Sequence, residues 1–74
     1  MFLKVEDNFG RFQFVNILCV EKMFARTTYD ADVQTWNAVV LLKDDSDWYY
    51  LARKLDSENH AFDVIQARLA NKII

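Results

Sequence analysis

Two apolar runs of strand length, Ala38 to Leu42 (AVVLL) and Trp48 to Ala52 (WYYLA), flank the polar stretch Lys43 to Asp47. Successive residues of a strand point to opposite faces of a sheet, so an unbroken apolar run carries apolar side chains on both faces and needs cover on both. An amphipathic segment at the C-terminal end can cover one face. A chain of 74 residues has little left for the other, so the expected architecture is a small α+β domain with one sheet face open to a partner.

At the N-terminal end Leu3 and Val5 alternate with Phe2, Lys4 and Glu6, the period of a half-buried strand. Asp7, Asn8 and Gly10, the only glycine, supply turn chemistry, so the first two strands are expected to form a hairpin. From Arg11 to Arg26 the chain is rich in β-formers but too long for one strand, and Asn16 favours local backbone bonding. The segment therefore divides into a strand with Phe12 and Phe14, a turn or short helical step over Asn16 to Cys19, and a third strand over Val20 to Arg26. Thr27 to Gln34 (TTYDADVQ) is polar and longer than an ordinary hairpin loop, which predicts a mobile loop. Thr35 to Lys43 and Trp48 to Arg53 are the fourth and fifth strands, joined by a turn at Asp44 to Asp47.

After Leu55 the spacing changes, with Phe62, Ile65, Leu69 and Ile73 three or four residues apart. This predicts an amphipathic helix over Ser57 to Lys72. Asp56 or Ser57 can act as its N-cap, and Glu58 suits the positive end of the helix dipole. The fold class is thus an antiparallel meander of four or five strands packed on one face by a C-terminal helix, with a small SH3-like barrel as the alternative closure of the same strands.

Hydrophobic residues make up 53% of the chain and aromatics 15%, which excludes disorder and gives more large side chains than a small core encloses. Self-association is the natural outlet. The net charge of −2 provides no general attraction to phosphate backbones or anionic lipid, and this balance disfavours nucleic acid. Cys19 is the only cysteine and has the apolar neighbours Ile17, Leu18 and Val20, so a buried, reduced thiol in a cytoplasmic protein is expected. The first residues, MFLKVED, lack the order of a signal peptide, and no apolar stretch approaches the length of a membrane span.

Asp44, Asp45 and Asp47 are the densest acidic group, but neither the glycine nor the distal glutamate of a calcium loop accompanies them, so they read as a solvated turn and no metal is assigned. Cys19 and His60 are each unique and form the one possible Cys/His pair, without a supporting motif; His60 reads as an exposed residue of the helix's first turn. One glycine excludes a glycine-rich phosphate loop. No catalytic residue and no cofactor follows. The aromatics Phe12, Phe14, Phe24, Trp36, Trp48, Tyr49 and Tyr50, with Arg11, Arg26 and Arg53 at strand ends, allow an oligonucleotide-stacking surface, while core and subunit interface are the simpler use because no basic stripe is visible in the sequence.

Gly10-Arg11-Phe12-Gln13-Phe14-Val15-Asn16, followed by Val20-Glu21-Lys22-Met23, resembles the glycine, strand, asparagine and aliphatic-Glu-Lys-aliphatic run of the small FlbD-like flagellar proteins. The later strand, polar turn, strand and helix are similar in order. The resemblance implies a short cytoplasmic chain of several strands and a final helix, with no defining catalytic motif. The turn at Asp44 to Asp47 lacks the glycine usual in that family and Thr27 to Gln34 is unusually long for it, and no functional residue is carried over.

The function expected from the residues is a non-enzymatic interaction or adaptor module that forms a homodimer through the uncovered sheet face. Candidate interface residues are Trp48, Tyr49, Tyr50, Leu51, Val40 and Leu42. Trp48 and Tyr50, or Tyr49 and Leu51, are its anchors, according to which parity faces the helix. The alternative is single-stranded nucleic-acid or small-ligand binding through exposed aromatics.

Overall fold

Gly10 takes a left-handed φ of 78°, and the Asp7 carboxylate accepts from the backbone N–H of Phe9 and of Arg11, both at 2.9 Å. These bonds close the first hairpin of the computed structural model, which describes residues 2–44 and 47–70. Strand β1 (Phe2–Glu6) pairs antiparallel with β2 (Phe12–Asn16), Leu3 opposite Val15 and Lys4 opposite Phe14. Asn16 ends β2 as expected: its side chain accepts from Leu18 N–H at 3.0 Å and caps a single 3-10 turn, Ile17–Cys19.

Strands β3 (Val20–Asp30) and β4 (Val33–Leu42) pair in register from Lys22–Leu41 to Asp30–Val33. The expected mobile loop over Thr27 to Gln34 is instead the end of this long hairpin. Ala31 and Asp32 alone make the turn, at φ 50° and 67°, the left-handed pair whose twist matches that of two antiparallel strands. Strand β5 (Trp48–Leu55) pairs with β4 to complete a meander, and β1 pairs with β5 at Glu6–Tyr50. The strands form one open antiparallel sheet in the order β2-β1-β5-β4-β3, not the alternative closed barrel.

Helix α1 (Glu58–Ala70) packs on the sheet across β3, β4 and β5. Ser57 is its cap, its hydroxyl accepting from His60 N–H at 3.1 Å. The buried stripe is Ala61 and Ile65, with Val64 half-buried beside them, whereas Phe62 and Leu69 are 43% and 38% exposed. This corrects the stripe inferred from Phe62, Ile65 and Leu69, because the small Ala61 marks the closest approach of helix to sheet; Ile73 lies outside the described residues. Beneath the helix Leu3, Val5, Ala38 and Val40 are essentially inaccessible to water.

The first turn carries a pH signature. Bonds from the Arg11 backbone first, then from Phe9 and the Arg11 guanidinium, hold the Asp7 carboxyl below the usual carboxylate range. A carboxyl whose folded-state pKa is depressed stabilises the fold above its unfolded value of 3.8 and loses that contribution as pH falls through the lower folded value. Asp7→Asn is therefore expected to melt below wild type at pH 7, with the difference narrowing at pH 2.5; a constant difference in circular-dichroism melts would remove the charge from the account.

Candidate functional site

Strand parity gives the sheet two faces, and the surplus apolar surface lies on the one turned away from α1. The inward set includes Met23, Ala25, Val40, Leu42 and Tyr49. Their alternates Lys22, Phe24 and Arg26 of β3, Val39 and Leu41 of β4, and Trp48 and Tyr50 of β5 therefore face outward.

Bulges then change the parity within β5. Ala38 pairs with Ala52 while Val39 pairs with Tyr50, so Leu51 is an extra residue, and both Leu51 and Ala52 belong to the core side. A second irregularity lies between the Ala38–Ala52 and Trp36–Leu55 pairs, where Lys54 adopts φ 58°. Simple alternation groups Ala52 with Trp48 and Tyr50, and Arg53 with Tyr49; the bulges reverse this. Ala52 turns in, and Arg53 turns out over the Tyr50 ring, 4.1 Å from its centroid.

The candidate interface residues are thus divided between the faces. Val40 is fully buried and Leu51 nearly so, so the core occupies them and they are corrected out of the interface. Leu42 and Tyr49 are half-buried against the same core. Trp48 and Tyr50 lie on the outward face, also half-buried. The alternation of large side chains did not single out Phe2, Phe12 and Phe14 as that face's most exposed rings, at 58%, 64% and 70%. Their signal was the polar parity of β1: because Leu3 and Val5 point inward, Phe2 and Lys4 point outward, and Phe14 lies opposite Lys4.

On the meander half, rings and cations interleave. Trp48 meets Phe24 edge to face at 5.3 Å, the Arg26 guanidinium lies 3.7 Å from the Trp48 ring centroid, and Lys22 Nζ stands 5.2 Å from that of Phe24. Each geometry is attractive through the ring quadrupole. Val39, opposite Phe24 on one side and Tyr50 on the other, is fully buried beneath this layer although it faces away from the helix. Arg53 Nε lies 3.1 Å from Glu6 Oε1, and its Nη2 donates to the Asp7 carbonyl at 2.9 Å, tying β5 to β1. Lys4 Nζ lies 4.7 Å from the centroid of the Phe12 ring. A basic stripe absent from the linear sequence is therefore present on the folded face, and Arg11 lies outside it, in the turn before β2, where it pairs with Asp7 at 3.1 Å and stands 5.3 Å from the Phe9 ring centroid.

The remaining candidates separate. Cys19 is exposed in the 3-10 turn, which corrects the expected buried thiol: the turn's backbone is held by Asn16 and by Lys43 N–H donating to the Cys19 carbonyl at 2.9 Å, leaving the side chain outside. His60 is exposed as expected, with Nδ1 2.6 Å from Asp56 Oδ1, and this bond chiefly lowers the Asp56 pKa. Asp45 lies outside the described residues, and among those described no three potential metal ligands cluster. Cavities of about 260 Å³ beside Asp7, Gln13 and Trp48 and about 140 Å³ beside Thr28, Asn37 and Arg53 are smaller than the roughly 300 to 1,000 Å³ of small-molecule sites. No helix among the described residues is long and apolar enough to cross a membrane. Comparison with protein-family models, curated proteins and solved structures finds no match to this chain.

Proposed function

We propose that this chain is a non-enzymatic binding module that self-associates as a homodimer through the outward face of its N-terminal hairpin. The observation that carries this reading is the exposure of Phe2, Phe12 and Phe14 together on a face the helix does not cover. Strand β2 is an edge of the sheet, and its sequence FQFVN has none of the lysines or prolines that protect an edge from pairing. Phe9 before it and Leu18 after it are 82% and 75% exposed, so apolar surface extends along the whole edge.

Area decides the mode of contact. At about 150 to 250 Å² per phenylalanine, the exposed parts of three rings amount to roughly 400 Å², short of the roughly 800 Å² that each partner buries in a stable complex. Pairing β2 with the β2 of a second copy adds backbone hydrogen bonds and brings in the flanking Phe9 and Leu18. The contact is symmetric, since an antiparallel strand pair relates two identical edges by a two-fold axis. An exposed free Cys19 fits a module working in the reducing cytoplasm.

Light scattering coupled to size-exclusion chromatography tests the proposal. Wild type is expected at twice the chain mass of 8.8 kDa, independent of salt. Phe14→Glu, which places like charges across the two-fold, is expected to give a folded monomer, and Phe62→Glu on the helix surface to leave the dimer intact. A monomeric wild type at about 100 μM, or a dimer in both variants, would refute this interface.

A further inference from the structure

The half of the outward face that the proposed dimer leaves open has a chemistry of its own, and from it we infer that β3 and β5 bind single-stranded nucleic acid. Charge is segregated in the folded chain in a way the net −2 conceals. Lys22 and Arg26 of β3, Arg53 of β5 and Lys4 of β1 are brought to one face. Asp44 and Asp47 are at the β4–β5 turn, and Asp56, Glu58 and Asp63 at the start and first turns of the helix, which packs on the opposite face. Glu6 lies among the cations and engages Arg53 Nε at 3.1 Å, and Glu21 is exposed beside Lys22 at the irregularity that opens β3.

Each of these cations stands over a ring: Lys22 over Phe24, Arg26 over Trp48, Arg53 over Tyr50 and Lys4 over Phe12. Energetically significant pairs of this kind occur about once per 70 to 80 residues. A face that carries several is organised by charge as well as by apolar burial. Burial accounts for Val39 beneath the rings, but it does not account for placing a positive group over four rings of one face.

Unpaired nucleotides have the complementary chemistry. Their bases stack on aromatic rings or on arginine guanidinium planes, and their phosphates pair with the same cations. The Arg26 guanidinium carbon lies 3.7 Å from the Trp48 centroid on an exposed side chain, a delocalised cation on which a base can stack. Duplex fits poorly, since its grooves admit a helix or a two-stranded ribbon, not the breadth of a five-stranded sheet. A sheet that recognises RNA this way holds two or three bases, and Lys22, Arg26 and Arg53 provide about that many phosphate partners. Lys22, Arg26 and Arg53, with the rings of Phe24, Trp48 and Tyr50, are the binding set; the Lys4–Phe12 pair lies on the proposed dimer edge and is not part of that set, so the two ideas succeed or fail separately.

Fluorescence anisotropy of a labelled ten-residue thymidine oligonucleotide is the test, run on the full chain at 50 and 200 mM salt. With three phosphates neutralised, a slope near −0.7 per phosphate predicts roughly 15- to 20-fold weaker binding across that fourfold change in salt. The double variant Arg26→Gln, Arg53→Gln is expected to lose at least tenfold in affinity at 50 mM and to retain only a shallow salt dependence. Arg26→Lys keeps the charge without the plane and is expected to lose part of the affinity with the slope unchanged. Circular-dichroism melts of each variant separate loss of binding from loss of fold. No binding by wild type at 100 μM, equal affinity for duplex, unchanged affinity in a folded double variant, or capture by phosphatidylserine vesicles without capture of the oligonucleotide would each overturn the inference.

Discussion

Asn37→Leu is expected to remove about 2 to 4 kcal/mol of stability, the cost of stranding three part-buried polar partners that an apolar side chain of similar size cannot satisfy. Asn37 is 3% exposed and holds three elements together. Its Nδ2 donates to the Arg26 carbonyl at 3.3 Å and to Thr28 Oγ1 at 3.0 Å, and its Oδ1 accepts from Lys54 N–H at 3.2 Å. Thr28 and Thr35 lie in the same network, their hydroxyls 3.2 Å apart. The bond to Lys54 matters most, because Lys54 occupies a left-handed conformation that costs a residue with a side chain roughly 1 to 2 kcal/mol. At about 0.05 to 0.15 kcal/mol per residue a domain of this size has roughly 4 to 11 kcal/mol in total. The substitution thus removes a large fraction, and at about 4 to 8 °C per kcal/mol the melting midpoint should fall by roughly 8 to 30 °C. Lys54→Gly should restore part of the loss. A midpoint within about 2 °C of wild type for Asn37→Leu alone would mean that water satisfies the bulge without it.

The second large effect distinguishes the helix's real contact stripe from the one its large residues suggest. Ile65→Ala should cost about 2 to 5 kcal/mol through lost burial and the cavity left behind, as isoleucine truncations in cores do. Leu69→Ala, at a position 38% exposed, should cost less than about 1 kcal/mol. Urea titrations of both variants decide it. Comparable losses would mean that α1 sits on the sheet rotated toward Phe62 and Leu69.

Where a residue's local chemistry settles its own structure, the sequence was legible. Gly10, the Asn16 break and the Ser57 cap are of this kind, each resting on contacts within a few residues. The Ala31–Asp32 turn was not legible, because its tip lacks the glycine or asparagine that ordinarily advertises two left-handed residues. Thr27, Thr28 and Tyr29, all β-formers, were the available sign that β3 continues. Helix orientation was misread for a related reason: the position nearest the sheet must be small, so Ala61 has no weight in a pattern built on large side chains. Face assignment in β5 depended on bulges at Leu51 and Lys54, which strict alternation cannot represent. The basic stripe required that assignment first, since Arg53 joins it only because of the bulges.

The join between β1 and β5 has a consequence for how the domain opens. Their register meets at Glu6–Tyr50, whereas β1 with β2 and β3 with β4 are zipped along their lengths. Backbone hydrogen bonding therefore makes the chain two separately laced pieces, and the seam between them is closed by Arg53 reaching Glu6 and Asp7 and by Leu3 and Val5 seated in the shared core. Such a seam is the natural boundary of a sub-global opening event, in which the N-terminal hairpin swings away as a unit before either piece unravels. Amide protons would then exchange in two blocks, and the early block would be the hairpin that carries the exposed phenylalanines.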